Sequence, residues 1–155
     1  MREKETCHYT ESIIYLMEQT AIYFKLKGAQ FFNQLNIGIT VEQFVALDAI
    51  YSNNDICQRD LSKLILKDRS NTGRILNILE EKQLITRIVE TKNNRLVKKV
   101  YITKRGKKII EDNQVKLTTA FLKVFDDVSE EEFANLRKTL EKLKESLSKT
   151  TNIQI

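Results

Sequence analysis

Apolar residues recur every three or four positions from Ile13 through Leu16/Met17, Thr20/Ala21, Phe24, Gly28 and Phe31 to Leu35. That spacing puts them on one stripe of a long helix over residues 10–35. Gly28 within the stripe costs about 1 kcal/mol against Ala and marks a close helix contact or a bend. Asn36-Ile37-Gly38-Ile39 breaks the period. Thr40 then reads as an N-cap, with Gln43 completing a capping box, and Phe44, Leu47 and Ile50 face inward from a second helix. Ser52-Asn53-Asn54-Asp55 is a turn cluster. A third helix of about residues 58–65 carries Leu61, Leu64 and Ile65 as its apolar positions. After the polar break Lys67-Asp68-Arg69-Ser70, a fourth helix runs from about Ser70 to Lys82 and buries Ile75, Ile78 and Leu79.

The period then changes from 3.6 to 2. Leu84 to Glu90 reads as a strand and Val97 to Thr103 as a second, with Val100 and Ile102 on one face. Thr91-Lys92-Asn93-Asn94-Arg95 between them is a polar, basic hairpin tip. Lys104-Arg105-Gly106 ends the hairpin. A fifth helix from about Gly106 to Asp126 carries Ile110, Leu117, Phe121 and Val124. Ser129-Glu130-Glu131-Glu132 is a second capping box, and Phe133, Leu136, Leu140, Leu143 and Leu147 repeat at heptad-like spacing along a last helix. Residues 150–155 are expected to fray.

The absence of proline and the presence of only four glycines agree with long uninterrupted helices. A β-sandwich or barrel would need many more turn residues. Charged residues make up 30% and apolar residues 41%, the composition of a folded chain and not a disordered one. No apolar run is long enough to span a membrane. Met1-Arg2-Glu3-Lys4-Glu5 has no apolar stretch behind it, so no signal peptide is expected. Two distant cysteines, Cys7 and Cys57, make no disulfide framework, so a cytoplasmic setting is expected.

The net charge of +5 hides a segregation. Gln58 to Lys108 hold 15 Lys and Arg against 5 Asp and Glu, while the flanks hold 11 against 16. A basic third of a chain with acidic flanks points to a polyanionic partner. The basic block coincides with the third helix, the fourth helix and the hairpin. Two helices joined by a tight turn and followed by a two-stranded wing make a winged helix-turn-helix, whose second helix fits the major groove of double-stranded DNA.

The stretch QRDLSKLILKDRSNTGRILNILEEKQLITRIVETKNNRLVKKVYITKRGKK, Gln58 to Lys108, resembles the MarR family of bacterial transcription regulators. Gln58-x-x-Leu61-x-x-Leu64 is similar to the first helix of the family's motif. Asp68-Arg69-Ser70-Asn71-Thr72-Gly73-Arg74 is similar to its recognition-helix start. Leu79-Glu80-x-Lys82-x-Leu84-Ile85 resembles its exit into the wing, and Val100-Tyr101-Ile102-Thr103-x-x-Gly106 its Leu-Thr-x-x-Gly. Thr40 to Leu47 and Ser129 to Leu147 suit the family's second and last helices, so the likeness covers residues 10–148. Two features depart from the pattern. Asn93-Asn94-Arg95 stands where the family has Asp-x-Arg, at a tip one residue longer than usual. Gln83 replaces the usual glycine after the fourth helix, which argues for a different C-cap.

The resemblance implies one MarR-like domain over residues 1–155, mainly α with a small β-hairpin wing. A winged helix-turn-helix occupies residues 40–104, and residues 10–35 and 106–150 form a helical dimerisation region. The first, fifth and sixth helices would intertwine into a homodimer, a reading the heptad-like stripe supports independently. Such a dimer reads a pseudo-palindromic site. Ser70, Asn71 and Thr72 open the recognition helix, where short polar side chains contact bases or phosphates, or, for Ser70, simply cap. Arg74 lies one turn further on the exposed face, and Arg69 precedes the helix near the backbone. Arg95 would enter a minor groove, while Lys92, Lys98, Lys99, Lys104 and Arg105 would neutralise phosphates.

Family members often sense a small molecule, and Tyr15, Tyr23, Phe24, Phe31 and Phe32 are candidates to line an effector pocket, or else plain core. Some relatives sense peroxide with an N-terminal cysteine, which makes Cys7 a redox candidate beside Arg2, Lys4 and His8, against an inert thiol. Cys57 at a helix start is read as small-residue packing. With His8 the only histidine, no zinc site is expected, and no cofactor is implied. No Walker loop, GxGxxG or nucleophile elbow occurs, so an enzyme is not expected. The expectation is a homodimeric, ligand- or redox-responsive repressor. The alternative from another class is a non-enzymatic winged-helix module binding RNA, non-specific DNA or an acidic protein.

Overall fold

The structure, a computed structural model, describes residues 8–92 and 95–151, with the side chains of Lys92 and Arg95 outside that description. Cys7 and the tip residues 93–94 therefore lie outside the described residues. The chain forms two compact units, residues 1–41 and 42–155.

In the first unit a short 3-10 turn, Tyr9–Glu11, leads into α1, Ile13–Gln34. Ser12 caps α1 by accepting from the Tyr15 N–H at 3.2 Å. Gly28 and Phe32 are buried on it. The helix ends on Asn36, which takes a positive φ of 49° and lets the Ile37 N–H reach back to the Phe32 carbonyl.

The second unit carries α2 (Val41–Ser52), β1 (Ile56–Cys57), α3 (Gln58–Leu64), α4 (Arg69–Glu81), β2 (Ile85–Lys92), β3 (Arg95–Ile102), α5 (Lys104–Leu122) and α6 (Glu130–Thr150). The strands form one antiparallel sheet in the order β1-β3-β2. Ile85 pairs with Ile102 and the register runs unbroken to Lys92 and Arg95, while Ile56 pairs with Val100 on the other side of β3. The two-strand wing expected from sequence therefore has a third, two-residue strand, which ties the start of the helix-turn-helix to the wing.

Leu47, Ile50, Leu61, Leu76, Leu79, Leu84, Ile85, Val100 and Ile110 are fully buried and form the core of this unit. The expected inward positions Leu47, Ile50, Leu61, Ile75, Leu79 and Val100 are among the buried residues; Leu64 instead is exposed. The helix boundaries shift at three places. Asp68, not Ser70, is the N-cap of α4, accepting from the Asn71 N–H at 2.8 Å. Arg69 thus opens the helix instead of preceding it. Thr103, not Gly106, starts α5 as its N-cap, and α5 passes at Leu122 into a short 3-10 turn, Lys123–Phe125.

The connection from α4 to β2 shows why Gln83 can stand where a glycine is usual. Gln83 takes φ 59°. Its N–H donates to the Glu80 carbonyl at 2.8 Å, and the Leu84 N–H to the Leu79 carbonyl at 2.9 Å. That is a Schellman closure with a non-glycine at its left-handed residue, and buried Leu79 and Leu84 supply its apolar contact. The start of α5 docks on the same turn. The Thr103 hydroxyl donates to the Gln83 carbonyl at 2.8 Å and accepts from the Gly106 N–H at 3.1 Å. A Cβ at Gly106 would lie 2.2 Å from the Leu84 carbonyl oxygen, so only glycine lets the helix approach this closely.

The capping box expected at Ser129 forms in full with Glu132. None of the residues of α6 is buried, and its stripe Phe133, Leu136, Leu140, Leu143 and Leu147 is between 36% and 59% exposed. The Phe133 ring meets Phe125 edge-on at 5.0 Å, which sets the turn into α6.

Candidate nucleic-acid interface

α4 is amphipathic in a way that divides its residues cleanly. Thr72, Ile75, Leu76 and Leu79 are buried, whereas Arg69, Ser70, Asn71, Arg74 and Asn77 are exposed. Thr72 therefore belongs to the inner face, and its hydroxyl donates to the Asp68 carbonyl at 2.8 Å. Ser70, Arg74 and Asn77 follow one another at helical spacing on the outer face. Asn77 escaped the sequence reading, although the same spacing from Ser70 and Arg74 could have found it. An exposed asparagine at such a place can bond both edges of an adenine.

The Asp68 carboxylate fixes the beginning of this helix. The backbone N–H of Asn71 and then its side-chain amide hold the carboxyl below the ordinary carboxylate range. The Glu80 carboxylate fixes the end. It takes the Arg87 guanidinium at Nε (2.9 Å) and at a terminal nitrogen, and it also accepts the Arg87 backbone N–H at 3.2 Å. Arg87 lies on β2, so this fork locks the exit of α4 to the wing. Its guanidinium hydrogen bonds, and after them its charge, hold the Glu80 carboxyl low. Arg87, though basic and within the basic block, is thereby committed to structure.

Gly73 packs where α4 passes the start of α3: a Cβ there would meet only the Gln58 side-chain amide, at 3.5 Å. The turn between the two helices holds Leu66 at φ 52°, with Lys67 paired to Glu42 at 2.6 Å.

On the wing, Lys98 and Lys99 point to opposite faces, as neighbours on a strand must. Lys98 is exposed. The Lys99 side chain is only 15% exposed, and its ammonium meets an Asp55 carboxylate oxygen at 2.7 Å and the Asp55 carbonyl at 2.9 Å. Lys99 is thus not placed as a free cation in the way expected for a phosphate contact. Lys92 and Arg95 pair through their backbones at the far end of the hairpin.

Beyond the wing, Lys104 and Arg105 are exposed in the first turn of α5, which holds no acidic residue. Cations at a helix N-terminus oppose the helix dipole, an arrangement that an external anion relieves.

Of the aromatic residues considered for an effector, Tyr15, Phe24 and Phe31 are half-buried along α1, Phe32 is buried and Tyr23 is exposed. Tyr9 packs on Tyr15 at 5.8 Å, and the Lys27 ammonium sits 5.0 Å over the Phe31 ring. Cys57 is half-buried, and its thiol donates to an Asp60 carboxylate oxygen at 2.9 Å. Among the described residues no three His, Cys, Asp or Glu side chains gather in a way that could hold a metal. No described helix is long and apolar enough to cross a membrane.

A family model described as the MarR family matches residues 39–97, which span α2, the two following helices and most of the wing. The HTH-type transcriptional regulator YsmB of Bacillus subtilis is 26% identical over 133 residues, covering 86% of this chain and 89% of that one. The S. aureus regulator MepR, solved in complex with DNA, is 26% identical with a TM-score of 0.75, covering 90% of this chain and 99% of that one. The transcriptional regulator SlyA, at 23% identity and a TM-score of 0.78, shares the fold.

Proposed function

We propose that the chain belongs to the MarR family, whose model matches residues 39–97, and that it is a sequence-specific, double-stranded-DNA-binding transcriptional regulator, acting as a homodimer on a pseudo-palindromic operator. The observation that carries the reading is the outer face of α4. Ser70, Asn71, Arg74 and Asn77 stand exposed on a helix whose two ends are fixed by Asp68 and by the Glu80–Arg87 fork. A helix so held can present side chains to base edges in a constant orientation, which direct readout requires. The relative MepR has been solved on DNA, and the basic block of this chain suits the same polyanion.

In this reading α4 enters the major groove, with Arg74 and Asn77 reaching base edges and Arg69 and Ser70 near the phosphates. Lys98, Lys104 and Arg105 neutralise phosphates, and Lys92 and Arg95 do so at the wing's far end, Arg95 in the minor groove. Occupancy of the operator blocks transcription. A small molecule held by the aromatic side chains of α1, or oxidation at Cys7, would shift the population of binding-competent dimers.

The test selects bound sequences from a random duplex pool and then titrates the winner against scrambled DNA at two salt concentrations. A palindromic consensus bound about a thousandfold more tightly than scrambled duplex is expected. Arg74→Ala should erase most of that preference, whereas a phosphate contact such as Lys98→Ala should weaken both duplexes alike. Equal affinity for both duplexes, vanishing with salt, would mean electrostatic attachment only and overturn the reading.

A further inference from the structure

Asp55 lies in the turn between α2 and β1, and two side chains and a strand converge on it. One carboxylate oxygen takes the Lys99 ammonium at 2.7 Å and the other accepts the Tyr101 hydroxyl at 2.8 Å. The Asp55 carbonyl accepts from Lys99 as well, at 2.9 Å. The Glu90 carboxylate, on β2, shares the Tyr101 hydroxyl at 3.2 Å. Lys99 and Tyr101 are alternate residues of β3 and so lie on the same face of the wing. The next residues after Asp55, Ile56 and Cys57, pair with Val100 and Lys99. Asp55 itself takes φ 73°, a left-handed backbone that Asp and Asn adopt more readily than other non-glycine residues.

Resting on the DNA-binding reading above, we infer that Asp55 is a positioning residue: with Lys99 and Tyr101 it anchors the base of the wing to the helix-turn-helix and so sets where the wing meets the duplex. Lys99 then contributes to recognition through geometry and not as a phosphate contact. Three features single out this cluster. The Lys99 ammonium is largely withdrawn from solvent, whereas its neighbour Lys98 is exposed. The contacts join positions far apart in sequence, across the only described strand pairing between the wing and the helix-turn-helix. The two carboxylates flanking the Tyr101 hydroxyl, Asp55 foremost, also push its pKa up to about 12, as befits a donor shared between two acceptors.

The Glu80–Arg87 fork holds β2 to the end of α4, and the Asp55 cluster holds β3 to the turn before α3. Two anchors on two strands fix an orientation, whereas one alone leaves a hinge. Loss of the second anchor should therefore leave α4 readout intact and blur only what the wing contributes.

The experiment uses the full chain with Lys98→Gln, Lys99→Gln, Asp55→Asn and the Asp55→Asn/Lys99→Gln pair. Asn tolerates the left-handed backbone, so Asp55→Asn removes charge without adding strain. Amide hydrogen exchange without DNA is the first readout. Exchange at Val100 should quicken about tenfold in Asp55→Asn and Lys99→Gln and no further in the pair, with the amides of α4 unchanged. The second is the dependence of operator affinity on salt. Lys99→Gln should keep the wild-type slope of log K against log salt yet lose about tenfold in preference for the operator's flanking positions, as should Asp55→Asn. Lys99→Arg, which keeps the ion pair, should restore both readouts. A slope lowered by about one in Lys99→Gln, with Asp55→Asn silent, would make Lys99 a phosphate contact and overturn the inference. Unchanged exchange at Val100 would overturn it too. If the wild-type chain binds operator and scrambled DNA alike, the regulator reading fails. The exchange readout then judges the anchor by itself.

Discussion

Gly73 and Gly106 both sit inside helices, and their surroundings give them opposite roles. At Gly73 a Cβ would make an ordinary 3.5 Å contact with a flexible side chain, so Gly73→Ala should stabilise the chain by about 1 kcal/mol through helix propensity. At Gly106 the Cβ would collide with the Leu84 backbone carbonyl, and Gly106→Ala should cost about 3 kcal/mol. Thermal unfolding of the two variants should therefore move in opposite directions, by about 2–4 °C per kcal/mol for a chain of this size. A fall of Tm in both would mean that the space beside Gly73 is already filled. Gln83→Gly supplies a third case. The residue takes φ 59° and lends only its backbone to the Schellman closure and to Thr103, so relief of the left-handed strain should raise stability by about 1 kcal/mol. The sequence shows the Thr-x-x-Gly pattern and the missing glycine at position 83 plainly. What it hides is that the two are one feature, because the Leu84 carbonyl and Gly106 meet only after the hairpin has closed. The same holds for the wing lysines. Strand alternation already separates Lys98 from Lys99, but the Asp55 carboxylate that takes Lys99 lies across the fold.

At the scale of elements, α4 is held by a carboxylate at each end, and this has a pH consequence. Asp68 and Glu80 both have folded-state pKa values held low, Asp68 by the Asn71 amides and Glu80 by Arg87. A depressed carboxyl contributes its full stabilisation above its unfolded value, about 4, and loses it as pH falls through the folded value. Tm should therefore be flat near neutrality and decline below about pH 4. Asp60, held low first by the Cys57 thiol, and Glu132, held low first by the Ser129 hydroxyl, add to that decline. Asp68→Asn keeps a cap but loses the charge and one acceptor for the Asn71 amides, so its Tm should start slightly below the wild type's at pH 7 and fall less steeply in acid. Glu80→Gln should flatten the acid limb as well but start lower, because Arg87 loses its charged partner. Acid limbs identical to the wild type's in both variants would show that these contacts are absent in solution. The long helices and the hairpin are legible because their periods persist over many residues. β1 is not, since two residues carry no period. The start of α4 is read at Ser70 from the sequence, two residues after its true cap Asp68, for a related reason. Both residues cap well, and the local pattern does not rank them; the Asn71 N–H finds the Asp68 carboxylate.

For the whole molecule, stability turns on α6. A helix with no fully buried residue gains little from packing, and most helices in proteins owe their stability to packing and not to propensity. The polar side has local support, from the capping box at Ser129 and the i,i+4 pairs Arg137–Glu141 and Glu145–Lys149. Such pairs are worth only a few tenths of a kcal/mol each. The apolar side repeats from Phe133 to Leu147 at the spacing of a helix that packs against another helix, and each leucine buried there would contribute about 1.5–3 kcal/mol. The homodimer proposed for operator binding supplies that second surface. It follows that α6 order, self-association and operator affinity should be lost together. In Leu136→Glu/Leu143→Glu, sedimentation at micromolar concentration should give a monomer where the wild type gives a dimer, and helical circular dichroism should fall as α6 frays. Binding to a single half-site should survive, because α4 and its anchors lie outside the stripe. Affinity for the full palindrome should drop by about two to four orders of magnitude as the second half-site ceases to be an intramolecular partner. A double variant that stays dimeric, or one that becomes monomeric yet binds the palindrome as tightly as before, would separate the stripe from the operator and require the apolar face of α6 to serve something other than a second copy.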